Sequence, residues 1–373
     1  MTTARGPEVA SRIGLVLGVA ILVCFVTGLL SHWIQHPPQW FWWPANPVWL
    51  YRVTQGLHVI TGVAAIPLLL VKLWSVYPKL FEKPLIGSPV RALERGSIAV
   101  LVGSLVFQLV TGLFNAAQFY PWTFFFTTTH YAMAYVAVGA LLVHIAVKLP
   151  IIRDALTRPL ESAPVETAQT ETEAGGLSRR TVLVGAGIAS GLAALAVAGQ
   201  TVPYLRRLAV LSPRSGEGPQ GVPVNRTAAE AGVEQSALAP DFELTVDIGT
   251  AQRTFSRAEL AALPQTSAIL PIACVEGWSA SAVWTGVVLR DLLRTVGDLP
   301  DGDVRMVSLE RSGLYATTVL PQRHVVDAST LIALDVNGAP LDLDHGYPCR
   351  LIAPNRPGVL QTKWLSRIEV VQQ

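Results

Sequence analysis

The chain has 373 residues, of which 14% are charged, with a net charge of +2 and a mean hydropathy of +0.42. A chain this long and this apolar is not one soluble domain, and its length predicts two or three domains. The balanced charge gives no footing for nucleic acid. Three cysteines, Cys24, Cys274 and Cys349, with no Cys-x-x-Cys pair, exclude a disulfide framework.

Four apolar segments open the chain, at residues 13–34, 53–77, 94–117 and 126–149. Each is long enough to span ~30 Å of hydrocarbon as a helix. The first follows 12 mostly polar residues and is too long for a signal-peptide core, so it reads as an anchor. Lys72, Lys79, Lys83, Arg91 and Arg95 cluster between the second and third segments. Lys148, Arg153, Arg158, Arg179 and Arg180 cluster after the fourth, whereas the other two loops hold almost no cation beyond Arg52. The positive-inside rule then makes the N-terminus cytoplasmic and everything after a fifth helix extracytoplasmic, in the plasma membrane of a bacterium. The Trp-dense outer loop, HPPQWFWWPANPVWLYR, reads as an aromatic interface belt that also lies under the outer domain.

Histidines inside membrane helices are costly and usually functional. His58 and His130 fall at nearly equal depth on antiparallel helices, where two imidazoles can ligate one haem iron axially. His144 lies 14 residues after His130 on one face of the same helix, about 21 Å along it. That is the spacing of two stacked haems. Residues 13–150, on the strength of His58, His130 and His144, resemble the four-helix cytochrome-b-type subunits of formate dehydrogenases and nickel–iron hydrogenases. The resemblance implies one haem b at the outer site, a second haem at the inner site, and exchange of electrons with the quinone pool. That family takes its second inner ligand from the inner end of the first helix, where this chain has Ser11 and Arg12. His144 is therefore the one inner candidate, with a polar residue hydrogen-bonded in the bundle as its alternative role. His32 and His36 compete for the outer site.

Residues 161–176 form a polar linker. The stretch from Ser178 to Gly199 is about 20 small and apolar residues, one bilayer crossing. Its Ser-Arg-Arg-Thr-Val-Leu start resembles a twin-arginine export signal placed inside the chain, implying the twin-arginine export machinery as a partner. The plain alternative is a fifth membrane helix with ordinary cytoplasmic arginines. Ala196-Val-Ala offers a signal-peptidase site that is expected to stay uncut.

A Gly/Pro-rich hinge at 212–223 leads to a domain with its own core. Strands are predicted at 242–248, 268–274, 304–309, 315–320, 331–336 and 349–353, and helices at 256–262 and 287–296, with Asn337-Gly338 as a hairpin turn. The fold class is multidomain: an all-α membrane bundle of four helices plus a fifth linking helix, then an α+β domain with a mixed sheet. The expected boundaries are 1–150, 151–177, 178–204, 205–240 and 241–373.

Two stretches carry the chemistry. Pro271-Ile-Ala-Cys-Val-Glu-Gly-Trp-Ser, with Trp284-Thr-Gly after it, ends a buried strand on a cysteine, a soft metal ligand when deprotonated. Asp344-His-Gly-Tyr-Pro-Cys-Arg and the later Lys363-Trp-Leu gather His, Arg and Lys around turns, a cradle for a phosphate and a polar heterocycle. Together these resemble the molybdopterin domain of the sulfite oxidase family, which includes assimilatory nitrate reductase and the catalytic subunit of bacterial periplasmic methionine sulfoxide reductase. The resemblance implies Mo-molybdopterin, with Cys274 as catalytic residue and protein ligand to molybdenum, and with His345, Arg350 and Lys363 holding pterin and phosphate. Arg356 fits the same role without a matching motif. Cys349 reads as a core thiol, with a disulfide to Cys274 as the alternative, and His324 reads as a surface residue.

The parts combine into a membrane-bound molybdenum oxidoreductase, in contact with lipid and quinone. It passes electrons between quinone, haem b and an extracytoplasmic centre that exchanges an oxygen atom with a small oxyanion, S-oxide or N-oxide. Reduction of an S-oxide or N-oxide is favoured. The alternatives are a non-catalytic binding or assembly module and a haem-only electron relay.

Overall fold

The computed structural model describes residues 5–83, 87–160, 177–211, 218–299 and 301–370. The predicted linker at 161–176, and the part of the hinge at 212–217, lie outside them. The chain forms two units. The first comprises Met1–Leu29, Leu57–Gly199 and Tyr204–Pro213; the second comprises Leu30–Gly56, Gln200–Pro203 and Arg214–Gln373.

Among the described residues, five helices are long and apolar enough to cross a membrane: α1 (Pro7–Gln35), α2 (Leu50–Leu80), α3 (Pro89–Ala116), α4 (Phe126–Thr157) and α5 (Arg179–Ala198). Four run further than their hydropathy suggested. Pro89 starts α3 behind Ser88, whose hydroxyl accepts from Arg91 N, an ordinary N-cap that hydropathy does not register. In the first unit, Leu17, Ala65, Leu69, Leu101, Leu105 and Ala137 form a packed cluster. Charged side chains of this unit are paired as well. Glu8 is 3.4 Å from Arg179, and Lys148 pairs with Glu94.

The second unit is built on two five-stranded sheets rather than one. The first sheet has the order β2-β1-β10-β5-β6, from β1 (Glu243–Ile248), β2 (Ala251–Ser256), β5 (Val304–Ser308), β6 (Thr317–Leu320) and β10 (Leu365–Val370). It is mixed, because β1 pairs with β10 in parallel and its other pairs are antiparallel. The second sheet is antiparallel: β3 (Gln265–Ala273), β4 (Ser279–Val288), β7 (Leu331–Val336) and β8 (Ala339–Pro340), with β9 (Arg350–Ile352) on β7.

The main core lies between the sheets. It draws Leu244, Phe255, Met306, Leu320 and Ile368 from one sheet and Val287, Ile332 and Leu351 from the other. The second sheet also buries its far face, where Leu270, Ile272, Trp284, Leu331 and Ala333 pack. With both faces covered, β7 reads as a continuous apolar run instead of an alternating one. Asn337 and Gly338 both take positive φ, 50° and 82°, and turn β7 into β8 as a two-residue hairpin.

One predicted element differs, and several strands were not predicted. The helix expected at 287–296 is strand up to Val288, then helix only from Leu289 to Arg294, because Val287 and Val288 complete the pairing of β4 with β7. The strands β2, β4 and β10 had no strand counterpart in the sequence reading.

Candidate active site

Cys274 follows the last residue of β3 and opens the β3–β4 connection. Its N–H donates to the Trp278 carbonyl at 2.8 Å, and its carbonyl accepts from Gly277 N at 3.0 Å. Gly277 has a φ of 98°, a region open to glycine and strained for other residues. The hairpin thus closes tightly over a buried thiol, 1% exposed.

His345 ends a short 3-10 turn whose Asp344 N–H donates to Asp342 Oδ1 at 2.8 Å, and Gly346 follows at φ 104°. A side chain on Gly346 would lie 3.1–3.2 Å from Lys363 and Arg350, so the turn needs glycine to bring those residues close. His345 donates through Nε2 to the Pro219 carbonyl at 2.6 Å, which fixes that nitrogen as the protonated one when the ring is neutral. Arg350 is 4% exposed. It donates to the carbonyls of His345 (2.9 Å) and Gln361 (3.1 Å) and lies over the Trp284 ring at 5.2 Å. Lys363 donates to the carbonyls of Arg226 and Asp344.

These four residues line one narrow cleft together with Trp278, Gly358 and the stretch from Val222 to Asn225. No Asp or Glu appears among its described lining residues. The cleft is cationic, and burial acts on the cations. It pushes Arg350 down to about 9 and Lys363 down to about 7, with Arg350 adding to the effect on Lys363. His345 is lowered by burial and partly restored by its bond to Pro219. The Nε of Arg350 has no protein partner. A buried N–H without an acceptor is unfavourable, so the cleft has donors to offer to an anion. Gly358 leaves room as well: a Cβ there would stand 3.1 Å from Ile272 and 3.7 Å from the Cα of Cys274. A soft sulfur ligand, buried cationic donors and open glycine positions fit a phosphate-bearing metal cofactor.

The lysine gives a stability prediction for the cofactor-free protein. Between pH 7 and about 10 the unfolded chain holds a proton at Lys363 that the folded chain has released. Stability therefore rises over that window, by at most about 1.4 kcal/mol per pH unit, less where the ammonium keeps contact with water. Below pH 7 the full cost of burying the cation is present. The thermal midpoint followed against pH tests this, and Lys363→Met should flatten the slope.

Other sequence expectations fall elsewhere. Arg356 is buried but does not line the cleft; it donates to the Val319 carbonyl at 2.9 Å and lies beside Arg323. His324 is no surface residue. It is 2% exposed, and burial, with Arg356 and Arg323 nearby, pushes its pKa down to about 2. Cys349 lies in the core between the sheets, donates to the Leu365 carbonyl, and is pushed up to about 12 by burial. Cys274 belongs to the cluster on the far face of the second sheet, and no disulfide joins the two.

Two contributors escaped the sequence reading. Val222 to Asn225 carry no charge and follow a Gly/Pro-rich stretch, so nothing marked them as lining. Tyr315 packs in the cluster of Ala273, Tyr51 and Leu360, and donates to Gln35 Oε1 at 3.0 Å. Burial and the neighbouring Cys274 sulfur both push its phenol upward. Its place as the first residue of the strand predicted at 315–320 was the available signal.

In the first unit, His58 and His130 face each other with ring centroids 6.3 Å apart. Nδ1 of His58 contacts the Cys24 carbonyl (2.9 Å) and Thr27 (3.1 Å), and Nδ1 of His130 contacts Thr111 (3.0 Å). Such bonds orient imidazoles and leave Nε2 for a metal. The centroid spacing leaves room for one ion bonded at about 2 Å to each ring. His144 stands near Lys72, Lys148 and Glu94 instead. In the second unit, His32 and His36 pack on each other at 5.0 Å.

Residues 230–373 match the family model of the oxidoreductase molybdopterin binding domain. The chain is 31% identical to mitochondrial sulfite oxidase of Drosophila melanogaster, over 36% of this chain and 28% of that protein. It is 32% identical to the "Putative protein-methionine-sulfoxide reductase subunit YedZ1" of Azospira oryzae, over 30% of this chain and 42% of that one. It thus spans less than half the length of these curated relatives. Among solved structures, the sulfane dehydrogenase SoxCD of Paracoccus pantotrophus aligns at a TM-score of 0.33 and 23% identity, over 36% of this chain and 39% of that chain. Residues 230–373 are thus similar to oxidoreductase molybdopterin-binding domains, and the chain is similar in part to sulfite oxidase.

Proposed function

We propose that the protein is a membrane-bound molybdenum oxidoreductase that reduces a small S-oxide or N-oxide outside the cytoplasm, with electrons drawn from quinol through haem b. The observation that carries this is the convergence of Cys274, His345, Arg350 and Lys363 on one cleft inside the matched domain. Bound there, Mo-molybdopterin would supply the two-electron oxygen-atom transfer. Cys274 would ligate the metal, and Arg350, Lys363 and His345 would donate to pterin and phosphate, the two cations balancing phosphate charge. The narrow, buried cleft keeps water from the reacting atoms.

The sulfoxide direction is favoured by the name of the Azospira relative. The haem is supported by the His58/His130 pair, and His144 remains the one candidate ligand for a second haem. The membrane setting is supported by five sufficiently long apolar helices and by the positive-inside pattern. Ser178-Arg179-Arg180 at the start of α5 supports delivery by the twin-arginine machinery, with the loaded domain going out folded.

Molybdenum and iron per chain, measured on one detergent-purified sample, test the proposal. One molybdenum with one or two irons is the expected result. Iron without molybdenum would reduce the protein to a cytochrome relay with an inert outer domain. Substitution His130→Ala is expected to remove the outer haem's absorbance, and an unchanged haem spectrum would rule out the His58/His130 site.

A further inference from the structure

The loop that presents Cys274 is not held by its own domain alone. Gln55, in the first two turns of α2, donates through Nε2 to the Val275 carbonyl at 2.9 Å. Thr201 donates through Oγ1 to the Gly277 carbonyl at 3.0 Å, and Ser279 N donates to the Gln200 carbonyl at 2.8 Å. Arg52 ties these supports together. It donates to the Thr201 carbonyl from Nε (2.9 Å) and Nη2 (2.7 Å), and to Ser281 Oγ on β4 (3.1 Å). All of these residues belong to the second unit, yet Gln55, Gln200 and Thr201 lie outside the matched segment 230–373.

We propose that Gln55 and Thr201 are positioning residues for the Cys274 thiolate: by bonding the carbonyls on either side of Glu276 they fix the loop that presents the sulfur to molybdenum. The carbonyls of Val275 and Gly277 belong to a five-residue connection that also bonds Cys274 N to the Trp278 carbonyl and Gly277 N to the Cys274 carbonyl. The two outside donors add restraint to the backbone that sets the Cα–Cβ vector of Cys274. A metal ligand must be held within about 0.5 Å of its working position, and the residues that hold it matter nearly as much as the ligand. This inference rests on Cys274 being the metal ligand, as proposed above.

The test uses the full chain in detergent and reads the cysteine itself. Cofactor-free protein is treated with N-ethylmaleimide, and modification of Cys274 and Cys349 is followed by mass spectrometry. A buried thiol reacts through local opening, so its rate reports how firmly the loop is held. Thr201→Val and Gln55→Leu are each expected to raise the Cys274 rate about tenfold, equivalent to about 1.4 kcal/mol. Thr201→Ser, which keeps the hydroxyl, should stay at the wild-type rate, and Cys349 should not respond in any variant. In molybdenum-loaded samples the same two substitutions should shift the Mo(V) electron paramagnetic resonance signal and lower kcat more than they raise KM. Cys274 rates within twofold of wild type in both variants would overturn the proposal. So would Cys349 rising in step with Cys274, because the loss would then be general. Molybdenum content of the wild type is read separately, so a failed functional reading and a failed positioning role give different results.

Discussion

Cys274→Ser is expected to lower oxygen-atom transfer on the order of a thousandfold, about 4 kcal/mol of barrier. The exchange is nearly isosteric at a site only 1% exposed, so the fold is retained. On the proposed reading, what changes is the ligand to molybdenum. A thiolate forms at accessible pH and is soft, whereas a serine hydroxyl stays protonated and is hard. The cationic cleft formed by His345, Arg350 and Lys363 is left intact, so the cofactor should still bind. Turnover of an S-oxide with a reduced dye, measured beside molybdenum content, separates the two effects. Wild-type turnover in the variant would remove Cys274 from the metal.

The largest stability effect is expected at Trp284. This side chain is fully buried on β4, donates from Nε1 to the Leu270 carbonyl at 3.2 Å, and underlies the Arg350 guanidinium. Trp284→Ala removes a large buried surface and leaves a cavity, a loss of about 3–5 kcal/mol. It also takes away the ring that holds Arg350 in place, so cofactor retention should fall with stability. Trp284→Phe keeps most of the packing and loses the hydrogen bond, a loss nearer 1 kcal/mol. Denaturant midpoints of the two variants give the comparison. An Ala variant as stable as wild type would mean that the far face of the second sheet contributes little to the fold.

Legibility followed the range of the interactions. Long apolar runs mark helices by composition alone, so α1 to α5 were visible, and only their polar end turns were not. Cys274, His345, Arg350 and Lys363 were visible because each sits in a motif whose residue types have a chemical reason. Val222 to Asn225 were not, because they line the cleft without charge or motif. Apolar runs without a clear period are ambiguous between strand and helix, and that ambiguity misplaced the boundary at Val288. The Trp-dense loop shows both limits at once. Trp40 and Trp42 are exposed, at 69% and 67%, as an interface belt requires. Trp43 is buried and donates to the Asn355 carbonyl at 2.9 Å, a contact across 312 positions that no local pattern reveals. His324 was misjudged for the same reason: it is 2% exposed in the fold, and no local pattern around it marks that burial.

Asn355 is the point where distant parts of the chain meet. Its side chain accepts from Tyr51 N (2.7 Å) and donates to the Pro44 carbonyl (2.7 Å), while its own carbonyl accepts from Trp43. These bonds join positions more than 300 residues apart. Contacts of such separation form late in folding, after the intervening loop has been closed. During synthesis the residues around Tyr51 are made long before Asn355 exists, and they must wait for it. A fragment starting at Arg214 would contain every residue of the cleft and still leave Ala273 and Leu360 without the cover of Ile34, Trp43 and Tyr51. The oxidoreductase domain is therefore not a portable module. Grafted elsewhere, or cut free after α5, it would carry a bare apolar patch beside its cysteine loop and would be prone to aggregate.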